Sequence, residues 1–332
     1  RGRAMNLQQS LFEKLTVLPE RRLLMKAKPL LLALTIVLPA ATPTRGEDRL
    51  SLALGSRSWI SSGYTEFSLN NLLVNPASDL VWRGTDSLVF EVNAEARWRR
   101  LLALAAVGVG DVTDGAFLDD DFLLDRRQGR FSHSRSVADA GGLFYATLDV
   151  GARLLSWGQA GRLGAGSLDG FVGYQYWREE YEASGLKGAL ALGDVALPNR
   201  TRVITQTSVW QALRVGARSE VALGYGLTLR ATAVLLPVGW WRWEDVHHLR
   251  GDLRQDPSVS AASDDAYGVE LDGGLRWHVG GGLSLEGGYR YWGMDSNGGD
   301  VRLRGLEETP RLKVHEATSE RHGPYVGLQW RF

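Results

Sequence analysis

Two short segments hold most of the reactive side chains in this sequence. One reads Phe117-Leu118-Asp119-Asp120-Asp121-Phe122. The other follows Trp240-Trp241-Arg242-Trp243 and reads Glu244-Asp245-Val246-His247-His248. Residues i and i+2 of an extended strand share a face, so Asp119 goes with Asp121 and Asp245 with His247. An aspartate beside a histidine orients the imidazole and stabilises its protonated form, the arrangement of a general base. Two close carboxylates resist ionising together, so one can keep a proton for a leaving group. A water held between the two pairs would attack a carbonyl without a covalent nucleophile. Each motif also has a plainer reading. A triple Asp in a loop suits solvation or calcium, and a His/Asp cluster suits a divalent metal. Asp120 and His248 are rivals of their neighbours if the register moves by one.

The elements that carry these residues read as strands. Apolar residues alternate at Leu88, Phe90, Val92, Ala94, Ala96 and Trp98, with Glu91, Asn93, Glu95 and Arg97 between them. The same period of two recurs from Phe144 to Leu154, Leu227 to Leu235, Tyr267 to Trp277 and Leu283 to Tyr291, and it marks strands with one apolar face. Ten strands are expected, near 50–61, 79–97, 101–113, 143–156, 168–182, 204–219, 224–242, 266–279, 282–296 and 322–332. The third alternates poorly, being apolar on both faces from Leu101 to Val109.

Connections at Arg99-Arg100, Trp157 to Gly166, Glu220 to Leu223 and Gly280-Gly281 are short. Those at 62–78, 114–142, 183–203, 243–265 and 297–321 are long and polar. An even strand count, short turns at one end and long loops at the other predict an all-β, ten-stranded antiparallel transmembrane β-barrel with long extracellular loops and short periplasmic turns.

The chain ends agree with export to a bacterial outer membrane. Met25-Lys26-Ala27-Lys28, the apolar run Leu30 to Leu38 and Pro39-Ala40-Ala41-Thr42 have the order of a signal peptide, too short to span a bilayer as a helix. The expected organisation is an over-extended N-terminus at 1–24, a signal peptide at 25–44 and one barrel domain at 45–332. Val326, Leu328, Trp330 and the terminal Phe332 share a face and resemble the signal read by the barrel-assembly machinery. Composition narrows the class further. The sequence has 332 residues with 38 basic against 38 acidic, no cysteine, 40 Gly and 12 Trp. Zero net charge leaves no footprint for nucleic acid, and the missing cysteines exclude thiol catalysis and disulfide scaffolds.

Order and spacing over about 250 residues resemble the omptins, ten-stranded outer-membrane aspartate/histidine proteases. The similar segments are Asp79-Leu80-Val81-Trp82, Asp119-Asp120-Asp121-Phe122, Ser132-His133-Ser134-Arg135, Gly173-Tyr174-Gln175 with Arg178, Asp245-Val246-His247, and Gly327 to Phe332. The resemblance implies Asp119, Asp121, Asp245 and His247 as the catalytic set, acting on peptide or protein substrates at the extracellular mouth. It implies no metal and no organic cofactor, with lipopolysaccharide held by Tyr174 and Arg178 and required for activity. The sequence departs from the family at Trp243, where an acid would bind a basic substrate side chain, and Asn70 to Pro76 contains no second acid. Tyr176 replaces a glutamate between the two lipid-binding positions. An apolar or aromatic cleavage preference therefore stands beside the dibasic one. Two other function classes stand beside peptide hydrolysis: a catalytically inactive barrel acting as an adhesin, and, more remotely, a lipid hydrolase.

Overall fold

The computed structural model describes residues 50–71, 73–190, 193–305 and 311–332. The expected N-terminal extension and signal peptide lie outside them. The strands are β1 (Leu50–Asn70), β2 (Ser78–Trp98), β3 (Leu101–Leu124), β4 (Gln128–Trp157), β5 (Gly166–Leu190), β6 (Gly193–Gly224), β7 (Leu227–His247), β8 (Val259–Gly280), β9 (Leu283–Ser296), β10 (Asp300–Leu303) and β11 (Arg311–Arg331). Each pairs antiparallel with its neighbours, and β8–β9, β9–β11 and β11–β1 close the ring. The ten expected strands form a closed transmembrane barrel. The short β10 was not foreseen; it fills the gap between β8 and β11 above the point where β9 stops.

The long excursions at one end are present, but most of their length is paired ladder rather than irregular loop. β3 and β4 stay paired out to Leu124 and Gln128, and β5 and β6 out to Leu190 and Gly193. The expected strand limits at 113, 143, 182 and 204 fell short for a physical reason. Beyond the lipid the outer face turns polar, so hydrophobic alternation fades while backbone pairing continues. The turn expected at Glu220–Leu223 sits instead at Tyr225-Gly226, both with positive φ (52° and 76°), as a two-residue hairpin requires.

Outward apolar residues form a belt that starts at the short turns. Leu52, Leu54, Leu88, Phe90, Val107, Val109, Leu148, Leu235, Leu271 and Leu328 are all exposed. Trp98, Trp157, Trp277 and Trp330 edge it at the short-turn end, and Phe144, Tyr174, Trp240, Tyr267 and Tyr289 at the other. Two aromatic girdles around an apolar band are the signature of a bilayer-spanning barrel.

Inside the belt, the lumen is closed by paired charges. Arg57 meets Glu286 at 2.9 Å, Arg214 meets Asp149 at 2.8 Å, Arg218 meets Glu95 at 3.0 Å and Arg290 meets Glu91 at 2.8 Å. All of these but Glu286 line a cavity of about 120 Å³. The poor alternation of β3 belongs here. Its inward positions opposite Glu91, Asn93 and Glu95 are Gly108, Ala106 and Leu104, small or apolar because neighbouring strands fill that space. A Cβ on Gly108 would lie 2.2 Å from the Tyr145 ring. Above the charges lies an aromatic layer in which Trp59, Trp82, Trp177, Trp210, Trp241 and Tyr181 are almost wholly buried. Trp82 stacks on Tyr181 at 5.1 Å, and Phe67 lies 4.2 Å from Trp243.

Candidate active site at the barrel mouth

Strict alternation from the lipid belt would turn the two acidic motifs the wrong way. On β3, Val107 and Val109 face lipid, and an unbroken strand would send Asp119 and Asp121 outward with them. On β7, Leu229 and Leu235 face lipid, and Asp245 and His247 share their parity. The strands change parity before reaching the site. On β2 the inward set passes from Thr85 and Ser87 to Leu80 and Trp82 at Gly84 (φ 59°). On β3 it passes from Val112 to Phe117 at Asp114-Gly115, and on β4 from Leu143 to Ala138 at Gly141 (φ 141°). On β7 it passes from Val234 and Leu236 to Gly239, Trp241 and Trp243. The switch falls at Pro237-Val238, where the β7–β8 register breaks. Proline cannot donate to the ladder, so a bulge is where it belongs. β8 switches alongside, between Ser263 and Ala266. A row of irregularities just above the lipid belt thus turns both motifs into the mouth.

On β7, Asp245 is 1% exposed. Its Oδ1 lies 3.0 Å from His247 Nδ1. The backbone N–H of His247 donates to Ser258 Oγ at 2.9 Å, and the backbone N–H of Ser258 donates back to the Asp245 carbonyl at 2.7 Å. Gln255 Nε2 ties the loop by donating to the carbonyls of His247, Arg250 and Leu253. Because Nδ1 is committed to Asp245, Nε2 is the nitrogen left to serve a water.

The β3 carboxylates face this pair. Burial and then the charge of Asp121 push the Asp119 carboxyl up to about 8, with His247 pulling the other way. Burial also raises Asp121, against hydrogen bonds from Ser78 and Ser132, its partners across β2 and β4. Burial raises Asp245 too, against the attraction of His247. Burial disfavours charge on His247, yet Asp245 and Asp119 outweigh it and hold the imidazole above its ordinary value. A neutral His247 whose Nδ1–H is held by Asp245 can accept a proton from water at Nε2, and a carboxyl with the raised proton affinity of Asp119 can supply one to a leaving amine.

The rivals lie outside. Asp120 is paired with His133 and lies 3.4 Å from Arg130 on the outer face of β3–β4. His248 Nε2 is 2.9 Å from Thr205 Oγ1, and burial with nearby Arg202 lowers it. Tyr174 and Arg178 sit on the outer face of β5 by the upper girdle. Tyr174 donates to Gln211, and Arg178 Nη2 donates to Glu180 Oε2 at 2.5 Å. Tyr176, between them, packs edge-on against Phe144 at 5.9 Å. Trp243 is buried in the aromatic layer, so no carboxylate stands at that position.

Sequence reasoning missed Arg250. It holds Asp252 through two hydrogen bonds of 2.8 and 2.6 Å, and its charge acts on Asp121 and Asp119. Nothing in its sequence context separates it from other loop arginines; only the fold brings it to the mouth. Ser258, which braces His247 from the residue just before β8, was missed for the same reason.

The chain matches no protein-family model and no curated protein sequence. Among solved structures it is similar to the outer membrane protease OmpT from Escherichia coli, with a TM-score of 0.70 and 13% identity over 88% of this chain and 99% of that one. The TodX monoaromatic hydrocarbon channel (TM-score 0.25, 9% identity, 86% of this chain and 91% of that one) and a Pseudomonas aeruginosa FadL homologue (0.21, 9%, 85% and 90%) are too distant to bear on the fold. In its fold the chain is an omptin-like outer-membrane β-barrel.

Proposed function

We propose that the chain is an endopeptidase of omptin type, exported to the outer membrane and cleaving peptide bonds at the extracellular mouth of its barrel. The observation that carries this reading is the hydrogen-bonded Asp245–His247 pair facing the Asp119 carboxyl of β3 across the mouth. In the mechanism this implies, His247 Nε2 takes a proton from a water as its oxygen attacks the scissile carbonyl. The tetrahedral intermediate then collapses, and the departing amine receives its proton from Asp119. Asp245 holds the imidazole in one tautomer and balances its charge during the step. Asp121 keeps the proton on Asp119 by repulsion, and Arg250 tempers that repulsion.

No metal and no organic cofactor enter this reaction. Lipopolysaccharide is the expected activator, its phosphate pairing with the Arg178 guanidinium in competition with Glu180, beside Tyr174. Because no carboxylate stands at position 243, an apolar or aromatic preference next to the scissile bond stands beside the dibasic one. The test is cleavage of a peptide library by protein refolded with lipopolysaccharide, beside His247→Ala. Cleavage by wild type and its loss in the variant are expected. Equal cleavage by both would remove the dyad, and no cleavage by either would leave a surface-binding barrel.

A further inference from the structure

We infer that Gln206 is a positioning residue for the Asp245–His247 pair, its side-chain amide donating to Asp245 Oδ2 through one water. The pair's catalytic use rests on the peptidase reading above; the contact itself does not.

Gln206 on β6 stands directly opposite Asp245 on β7 in the strand pairing. Both side chains point inward and are almost wholly buried. Opposite residues of an antiparallel pair hold their Cβ atoms about 5 Å apart, so the amide and the carboxylate, which share no direct hydrogen bond, lie within reach of one common water. Each has one polar atom without a partner, Nε2 of Gln206, a donor, and Oδ2 of Asp245, an acceptor, while the Val259 backbone N–H and His247 also act on that carboxylate. The orientation of the amide is also settled. Trp82 Nε1 lies 2.5 Å from Gln206 Oε1. An indole N–H can only donate, so it must meet the oxygen, and the NH₂ is turned away from Trp82. A buried carboxylate oxygen left unpaired is costly, and native interiors rarely tolerate one.

The resulting chain runs Trp82 to Gln206 to Asp245 to His247 and crosses from β2 to β7. It fixes the plane of the Asp245 carboxylate, so that Oδ1 stays aimed at His247 Nδ1. An amide suits this place because it cannot take the proton itself. Trp243 supplies a rival donor, since its indole N–H is also buried without a partner and it precedes Asp245 by two on the same face. The charged and titratable groups facing the pair are Asp119 from β3, with Asp121 beside it, Arg250 and Asp252 from the loop after β7, and the adjoining His248.

The test compares Gln206→Leu, Gln206→Glu and Trp243→Phe in the full chain refolded with lipopolysaccharide. Gln206→Leu is expected to lower kcat on the order of 10- to 100-fold with KM within about twofold, while Trp243→Phe keeps kcat. Gln206→Glu sets a second negative charge against Asp245, so the acid limb of the kcat profile moves up by about one pH unit or more. A merely structural glutamine would change thermal stability without moving that limb. Histidine ring titration by NMR, with the His247 signal identified by its loss in His247→Ala, gives the same answer without turnover. Gln206→Glu should raise the His247 midpoint. The inference is overturned if that midpoint stays put, if Gln206→Leu keeps wild-type kcat, or if Trp243→Phe produces the kcat loss instead. Should wild type cleave nothing, the peptidase reading falls while the NMR titration still decides the Gln206 contact.

Discussion

Replacing Asp119 by asparagine tests the placing of protons in the mouth. The Asp119 carboxyl stands at about 8 against a reference of 3.8, raised by burial and by Asp121. That gap of about 4 units, at about 1.4 kcal/mol each, sets a ceiling of ~6 kcal/mol. Solvent still reaches the side chain, and screening brings the realised figure down to on the order of 2 kcal/mol. In the folded chain Asp119 therefore keeps its proton from about pH 4 to about pH 8, a window in which the unfolded chain has released it. The folded state binds more protons there, so stability is greatest below the window and falls as pH rises through about 8. Asp119→Asn cannot ionise, and its stability should lack that decline.

Activity should report the same group. If protonated Asp119 serves the leaving amine, wild-type kcat falls above about pH 8. The asparagine variant loses that limb together with about 10²- to 10⁴-fold in kcat. The assay is hydrolysis of a quenched fluorescent peptide between pH 5 and 10, paired with urea unfolding of the refolded barrel in detergent at pH 5 and pH 9. An alkaline limb that persists near pH 8 in Asp119→Asn would refute the assignment. So would a stability gap between wild type and variant that is the same at both pH values.

Three further perturbations probe the frame around the site. Gly141→Val builds a Cβ 2.0 Å from the Glu180 carbonyl at a φ of 141°, so it should cost about 2 kcal/mol or more and abolish cleavage, read by thermal unfolding and by activity. Arg218→Ala strips a buried partner from Glu95 and should destabilise the barrel by about 3–5 kcal/mol in urea unfolding, with KM unchanged because the residue lies below the aromatic layer. Arg178→Ala should raise the lipopolysaccharide concentration needed for half-maximal activity by about tenfold, measured by titrating the lipid into the refolded protein.

Much of the barrel was legible because lipid imposes a strict rule. Where both faces of a strand meet different media, as at Leu88 to Trp98, the period of two is unmistakable. It fades at β3, where small residues face a lumen already filled by Tyr145, and again above the girdle, where both faces meet polar surroundings. The i, i+2 reading of the two motifs needed only local geometry, and the structure puts Asp120 and His248 outside and their neighbours inside. What local geometry does not supply is the absolute face. Counting by twos from Leu229 or Val107 predicts the wrong one, and Pro237, Gly84 and Gly115 are the residues that reverse it. Arg250, Ser258 and Gln206 escaped because their relation to the site exists only through loop closure and cross-strand pairing.

The parity switch also explains how a polar site can sit on strands that must satisfy lipid. Below the belt of bulges, the outward set is held apolar by the bilayer and the inward set carries charges that neutralise one another. A strand that kept one parity would tie the face of the mouth residues to the face chosen by lipid, many residues away. Breaking register once, at the membrane boundary, separates the two demands. The upper frame can then turn Phe117, Trp241 and Trp243 inward as a floor and set Asp119, Asp121, Asp245 and His247 above it. That floor separates the mouth from the charged cavity below, so the raised proton affinity of Asp119 comes from burial and then Asp121, and that of His247 from Asp245 and Asp119 against burial, not from the arginines of the lumen. Of the causes that dominate each shift, only Arg250 is an arginine, and it belongs to the mouth. Substitutions among the lumen charges should therefore change how firmly the barrel holds together while leaving the pH profile of the mouth where it is.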